Sequence, residues 1–571
     1  MTKSFLLSGI TTAARSGILP FLAVSLTMAG ASVADQTWSG ASDAMWSNSA
    51  NWITAVPAPA DVVIFDLNSV VNFATTLGAD FSVAGIKIAD PSAAISIAAT
   101  NTLTLGASGI DMSLATQNFA FNNATVLGAN QTWNVGTGRT LLGSVTAPVS
   151  GGFALTKTGA GILTLQGVNT FSGGVALNSG TLIVKNNTSA GTGGITLANG
   201  TTLRIERNGS TSIFVGNAVT TAAGASVVMT TDNAANGFSG LITGDATSVY
   251  QIGNAASTTQ VSFSLGASTQ QFGSFAGTVK IFDGASLRFS ATSAVNNGGA
   301  NTNFDLNTSG VLTARNTGTI NVGALTGIGS IIGSSGAAGT TTFAVGGKNV
   351  ASTYNGVFTN ASTTGFAAVT KTGTDTLTLN GASTYSGATV ISAGRLLVNG
   401  SNLGFSGVNS AVTVAAAGTL GGTGTLSGAV TVTGTIAPGA AVGTLTITNA
   451  LILNSSATLS YELNGTDQTA GGGINDLLTG ITTLTLDGTL NVASLGAFTG
   501  RSSGSWRLIN YSGVLTDSVL NLGTMPVTDA GTNFAIDTAT AGQVNLVLVP
   551  EPGTALLGLV AGLGLLRRGR V

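Results

Sequence analysis

Leu155-Thr-Lys-Thr-Gly-Ala-Gly-Ile-Leu-Thr-Leu-Gln-Gly167 runs without a gap into Val-Asn-Thr-Phe-Ser-Gly-Gly-Val-Ala-Leu-Asn-Ser-Gly-Thr-Leu-Ile-Val184. It returns as Val369-Thr-Lys-Thr-Gly-Thr-Asp-Thr-Leu-Thr-Leu-Asn-Gly381 and Ala-Ser-Thr-Tyr-Ser-Gly-Ala-Thr-Val-Ile-Ser-Ala-Gly-Arg-Leu-Leu-Val398. Within the first copy Leu163 and Leu165 flank Thr164, Val175 and Leu177 flank Ala176, and Leu182 and Val184 flank Ile183. This period of two predicts three strands of about four residues, each ended by Gly or Asn. Strands so short form no stable sheet alone. Stacked rung upon rung, they bury a continuous column of Leu, Val and Ile and pair each backbone group with the next rung. The recurring Gly suits corners where φ is positive. A sandwich of the same strands is the rival fold, but it asks for longer strands with fewer Gly interruptions.

Weaker copies extend the pattern. Residues 275–284 keep the spacing of Phe171 to Gly180, and Tyr354-Asn-Gly356 echoes Tyr385-Ser-Gly387. Residues 193–200 and 412–420 repeat the later half of the unit.

Composition agrees with a stacked β protein. Of 571 residues 43% are hydrophobic, 82 are Gly and only 7% are charged, with net charge −2. Disordered chains lack apolar residues to bury, whereas this one carries them in short, regular doses. There is no basic stripe of the kind nucleic acid requires, so nucleic acid is excluded as a partner. With no Cys, disulfides and thiolate metal sites are absent. With no His, the commonest general base and the Ser-His-Asp arrangement are absent too. No cofactor is expected.

The two ends read as targeting segments. Lys3 and Arg15 precede an apolar run at 18–28, and the small residues Ala29-Gly-Ala31-Ser-Val-Ala34 place cleavage between Ala34 and Asp35. The partners implied are the secretion translocon and signal peptidase. At the other end stand Val549-Pro550-Glu551-Pro552-Gly553, an apolar run at 554–566, and Arg567, Arg568 and Arg570. As a helix that run reaches ~20 Å at ~1.5 Å per residue, short of a ~30 Å hydrocarbon core. The arginines would hold its end on the cytoplasmic side, giving a transient membrane contact. A permanent tail anchor is the alternative. This tripartite tail resembles the PEP-CTERM sorting signal, which implies an exosortase-like partner of Gram-negative bacteria and cutting near Pro550–Pro552.

The repeated Thr-Lys-Thr-Gly, Leu-Thr-Leu-x-Gly, Thr-Tyr/Phe-Ser-Gly and Gly-x-Leu-x-Val elements resemble the autotransporter-associated β-strand repeat, with good units at 155–186 and 369–400. Residues 418–426, 436–439, 443–447 and 475–492 resemble the end of such passenger solenoids. The resemblance implies an all-β, right-handed parallel β-helix. An autotransporter also ends in an outer-membrane barrel of many alternating strands of about ten residues; this sequence shows the Arg-rich tail in that place.

Three local features invite chemistry. Parallel β-helices host polysaccharide-cleaving enzymes, which need paired carboxylates or a carboxylate beside Lys, Arg or a metal. The 21 acidic residues are scattered singly, and Asp61 and Asp66, five apart in an apolar strand, should face opposite sides. Trp38, Trp46 and Trp52 form an aromatic concentration: Trp46 and Trp52 either offer a sugar platform or help cap the open first rung. Gly471-Gly-Gly-Ile-Asn-Asp-Leu-Leu478 loosely resembles the calcium nonapeptide of RTX proteins with Asp476 as ligand, but Ile474 stands where Gly belongs. A calcium ion takes 6–8 oxygens shared between stacked turns, so a single copy reads as a loop with no metal.

The expected organisation is a signal peptide at 1–34, a β cap and first rungs at 35–150, the repeat solenoid at 151–460, a β segment at 461–548 and a sorting tail with a short hydrophobic helix at 549–571. The expected function is a non-catalytic structural or adhesive component of the cell surface or extracellular matrix. Its outer partners would be extracellular polysaccharide or neighbouring surface proteins. A glycan-binding module and a polysaccharide-degrading enzyme are the alternatives.

Overall fold

The computed structural model describes residues 35–209, 211–263, 271–290 and 297–550. The signal segment with Ala34, and the tail residues Glu551, Pro552, Arg567, Arg568 and Arg570, lie outside them. The described chain is an all-β parallel solenoid of about 18 turns. Its short strands lie in three faces joined by Gly- and Asn-rich corners.

One column shows how the sequence builds the interior. On the second face Phe119, Leu141, Leu163, Leu182, Leu203, Met229, Ile252 and Ile281 follow one another rung by rung in parallel register. All are buried. Full burial of such a side chain stabilises by ~1.5–3 kcal/mol, and the ladder satisfies the backbone between them. Outward positions alternate with these. On the first face Thr156, Ala176, Thr196, Thr220 and Thr243 form the outer column, with Thr220 and Thr243 hydroxyls 2.7 Å apart. At one corner Asn399 donates to Asn380 at 3.0 Å, and Asn380 to Asn355 at 2.6 Å.

The repeat proves to be a two-rung unit, not three strands. Leu155–Thr158 and Ile162–Leu165 occupy one rung, and Val175–Leu177 and Thr181–Val184 lie in register on them in the next. The second copy does the same. Val369, Thr370 and Lys371 pair with the start of Thr389–Val398, and Thr376–Leu379 pairs with its end. Each repeat therefore stacks its second half on its first.

The Lys of Thr-Lys-Thr-Gly is buried in both copies. Lys157 Nζ donates to the carbonyls of Thr158, Gly159 and Ser179 at 2.7, 2.7 and 3.2 Å. Lys371 Nζ donates to Thr372, Gly373 and Ala393 at 2.6, 3.0 and 3.3 Å. The ammonium thus fastens the corner of its own rung to the corner above. Burial pushes the Lys157 ammonium down to about 8. Between that value and the ordinary ~10.4 of an unfolded Lys, the folded chain has released a proton that the unfolded chain keeps. The contribution of this group to stability therefore rises with pH across that window. We expect wild type to gain about 1–3 kcal/mol relative to Lys157→Met between pH 7.5 and 10.5, read from denaturant midpoints. A flat difference would refute the burial effect.

Aromatic groups close both ends. At the start, Trp38 and Trp46 pack edge-on against Trp52, at 5.1 and 5.6 Å between ring centroids. At the far end parallel stacking gives way to antiparallel pairing: Gln543–Pro550 lies between Gly504–Tyr511 and Thr532–Asp537. Phe498, Trp506 and Phe534 cluster there. Val549 and Pro550 are paired members of the last strand, opposite Asn533 and Thr532, so the β segment runs past 548 to Pro550. Asp35 opens the first strand, Asp35–Thr37, already in parallel register with Val62–Phe65. No helix among the described residues is long and apolar enough to cross a membrane.

Candidate functional site

Trp46 and Trp52 are 0% and 5% exposed. Trp46 Nε1 donates to Thr75 Oγ1 at 3.1 Å and Trp52 Nε1 to the Trp46 carbonyl at 2.7 Å. Neither ring offers a face to solvent, so the sugar-platform reading of the pair is replaced by the cap. An open first rung has no neighbour to bury its core, and three indoles supply that cover.

The two aspartates near the start serve the backbone. Asp61 is buried and accepts from Ala58 N at 2.9 Å and Gln36 Nε2 at 3.3 Å, whereas Asp66 accepts from Asn68 N at 2.8 Å. Asp476 does likewise. Buried, it accepts from Gly443 N and Glu462 N, each at 2.7 Å. Its neighbour Asn475 accepts from Asn464 N and donates to the Asp467 and Thr469 carbonyls. The Gly471–Leu478 loop is thus a hydrogen-bonded staple. No group of three or more acidic ligands that could hold a metal occurs among the described residues.

Folding nevertheless gathers charges that the sequence scatters. Arg395, Glu462 and Asp476 line one cleft of about 350 Å³ on the outer surface, with Thr419, Thr435 and Ser460. Arg395, Thr419 and Thr435 reach it because they occupy one register position on successive rungs. Arg395 Nη2 donates to the Gly439 carbonyl at 2.9 Å, and Asp476 holds Gly443. The loop 438–443 is therefore tied at both sides and forms a fixed wall. Burial pushes the Asp476 carboxyl up to about 7, against the two N–H groups that favour its ionised form. Glu462 raises it further and Arg395 lowers it, while buried Tyr461 also feels the Asp476 charge.

Between ~3.9, the ordinary Asp value, and about 7, the folded chain holds a proton that the unfolded chain has lost. This stability is full below the lower value and is lost as pH rises through the upper one. We expect the stability of wild type relative to Asp476→Asn to fall by about 1–3 kcal/mol from pH 4.5 to 7.5, read from denaturant midpoints. Parallel pH profiles would contradict it.

A second cleft, of about 240 Å³, is lined by Lys185, Asn186, Asn187, Asn208, Thr211 and Ser212. Its one charged lining residue is already paired: Lys185 lies 3.3 Å from Glu206, which Arg204 also approaches at 2.9 Å.

A neutral parallel β-solenoid closed by aromatic caps defines the class of protein: a repeat rod with its polar side chains on the outside. Comparison with known proteins carries this further. Residues 155–184 and 369–398 match the family model of the passenger-associated-transport-repeat, the same two segments that form the self-stacking units. Over 115 residues, 20% of its length, the chain is 48% identical to the adhesin BmaC autotransporter of Brucella suis biovar 1 (strain 1330). The match spans 3% of the length of that relative.

Proposed function

We propose that this chain is an exported, non-catalytic, adhesive and structural rod of the cell surface or extracellular matrix. The observation that carries the reading is the outer surface: stacked Thr columns and Asn ladders repeat from rung to rung around an apolar core. Repetition of this kind turns individually weak polar contacts into avidity. The passenger repeats and the likeness to an adhesin support it. A surface of this composition can touch extracellular polysaccharide or neighbouring surface proteins without strong charge.

For the route we propose Sec-type export with cleavage after Ala34, then transient anchoring through the tail and release by an exosortase-like enzyme near Pro550–Pro552. Intact mass and cell fractionation test this. A mature species starting at Asp35, lacking the residues after Pro552 and found outside the inner membrane, is the expected result. A Pro550→Ala/Glu551→Ala variant should remain in the inner membrane. An uncut tail in both forms would overturn the route. For the function itself, cells lacking the chain should attach less to a polysaccharide-coated surface, and unchanged attachment would overturn the adhesive reading.

A further inference from the structure

We propose that the Arg395–Glu462–Asp476 cleft is a binding site for a neutral saccharide. The inference rests on the adhesive reading and gives it a specific place on the rod.

Its walls are built and not accidental. Arg395, Thr419 and Thr435 stand on consecutive rungs whose inner neighbours are locked in the core. The opposite wall, residues 438–443, is clamped by Arg395 on Gly439 and by Asp476 on Gly443. A site of about 350 Å³ falls near the lower end of the ~300–1,000 Å³ range of small-ligand pockets.

The polar groups select the ligand. Arg395 uses one Nη2 donor on the Gly439 carbonyl, and a guanidinium carries five N–H donors, so donors remain on a side chain that lines the cleft. Glu462 supplies carboxylate oxygens that accept hydrogen bonds. One ligand must therefore accept from a guanidinium and donate to a carboxylate, which vicinal hydroxyls on a sugar ring do. An anionic ligand is disfavoured because the Glu462 carboxylate and a partly ionised Asp476 share the cleft with a single cation. A bound metal is disfavoured because the carboxyl pair falls short of a ligand set and both Asp476 oxygens already accept backbone N–H groups. Ala437, Pro438 and Ala441 add apolar surface against which the C–H face of a ring can lie. The Lys185 cleft lacks such an opening for a ligand, since its one cation is paired with Glu206.

Isothermal titration of the full-length exported protein with maltotetraose, cellotetraose and mannotetraose, and with polygalacturonate as the acidic comparator, tests the site. At least one neutral tetrasaccharide should bind. Glu462→Gln and Arg395→Lys should each weaken it by about tenfold or more, the size of one hydrogen bond to a charged group. Lys185→Met should bind as wild type, and Glu462→Gln should unfold no more easily than wild type, since it removes a like charge beside Asp476. Failure to bind any of the three, tighter binding of polygalacturonate, or binding unaltered in Glu462→Gln would overturn the assignment. Cleavage of a bound tetrasaccharide would overturn the binding role in favour of carboxylate chemistry. Attachment of cells carrying Glu462→Gln separates the two levels. Full attachment without saccharide binding by any form of the protein sinks this site and leaves the adhesive rod, whereas full attachment of cells lacking the chain sinks the rod reading.

Discussion

Replacing Trp46 by alanine will loosen the N-terminal rungs at a cost of about 3–5 kcal/mol, the usual range for emptying a large buried aromatic site. Trp46 is fully buried, packs edge-on against Trp52 and Phe81 at 5.6 and 5.8 Å, and bonds Thr75 through Nε1. Its carbonyl also receives the Trp52 indole. The loop that carries it is held by Asn51, which accepts from Ser42 N and Asp43 N, so the site has little freedom to collapse. In a solenoid each rung is supported chiefly by its neighbours, and damage at an end propagates inward. Amide hydrogen exchange should show lost protection in the first rungs, with residues 369–398 protected as in wild type. Uniform loss along the whole rod would mean that the cap and the body form one cooperative unit.

The second large effect is expected at the corner of the repeat. Gly159 and Gly373 have φ of +73° and +70°. A Cβ at Gly159 would run into the Val135 carbonyl oxygen of the rung below, and one at Gly373 into that of Gly346. Valine at either position meets both penalties. The left-handed backbone costs a β-branched residue of order 1–3 kcal/mol, and the clash must be relieved by lifting the corner off the rung below while Lys157 or Lys371 ties that same corner to the rung above. We expect Gly159→Val and Gly373→Val each to destabilise by about 3 kcal/mol or more, with Ala less severe. Limited proteolysis should then cut near the altered corner first. Resistance equal to wild type would show that the corner can re-form without its glycine.

How much of this was legible beforehand differs residue by residue. The alternation Leu163-Thr-Leu165 and the Gly-Asn punctuation contain the strand length and the buried face, so a stacked all-β rod follows from local pattern. Register does not. Leu163 meets Leu182 because of the loop between them, and nothing in a period of two says that the halves of one repeat lie on each other. Lys157 was legible as part of a signature and not as a buried group, since a lysine between threonines reads as solvent-facing until three carbonyls are seen to converge on it. The tryptophan cap followed from a physical need, an open first rung. The Arg395–Glu462–Asp476 cleft was invisible for the opposite reason: its members belong to distant stretches, and only the rung spacing brings them to one surface.

The lysine-fastened corners also bear on force. In a parallel stack the backbone hydrogen bonds lie along the rod's long axis, so a pull on the two ends loads them in tension, one layer after another, and not in shear. Such a rod should lengthen by peeling in discrete steps. The two layers that a buried ammonium rivets together, at Lys157 and again at Lys371, would be the ones that let go last, so that extension under load pauses at two fixed points along the molecule.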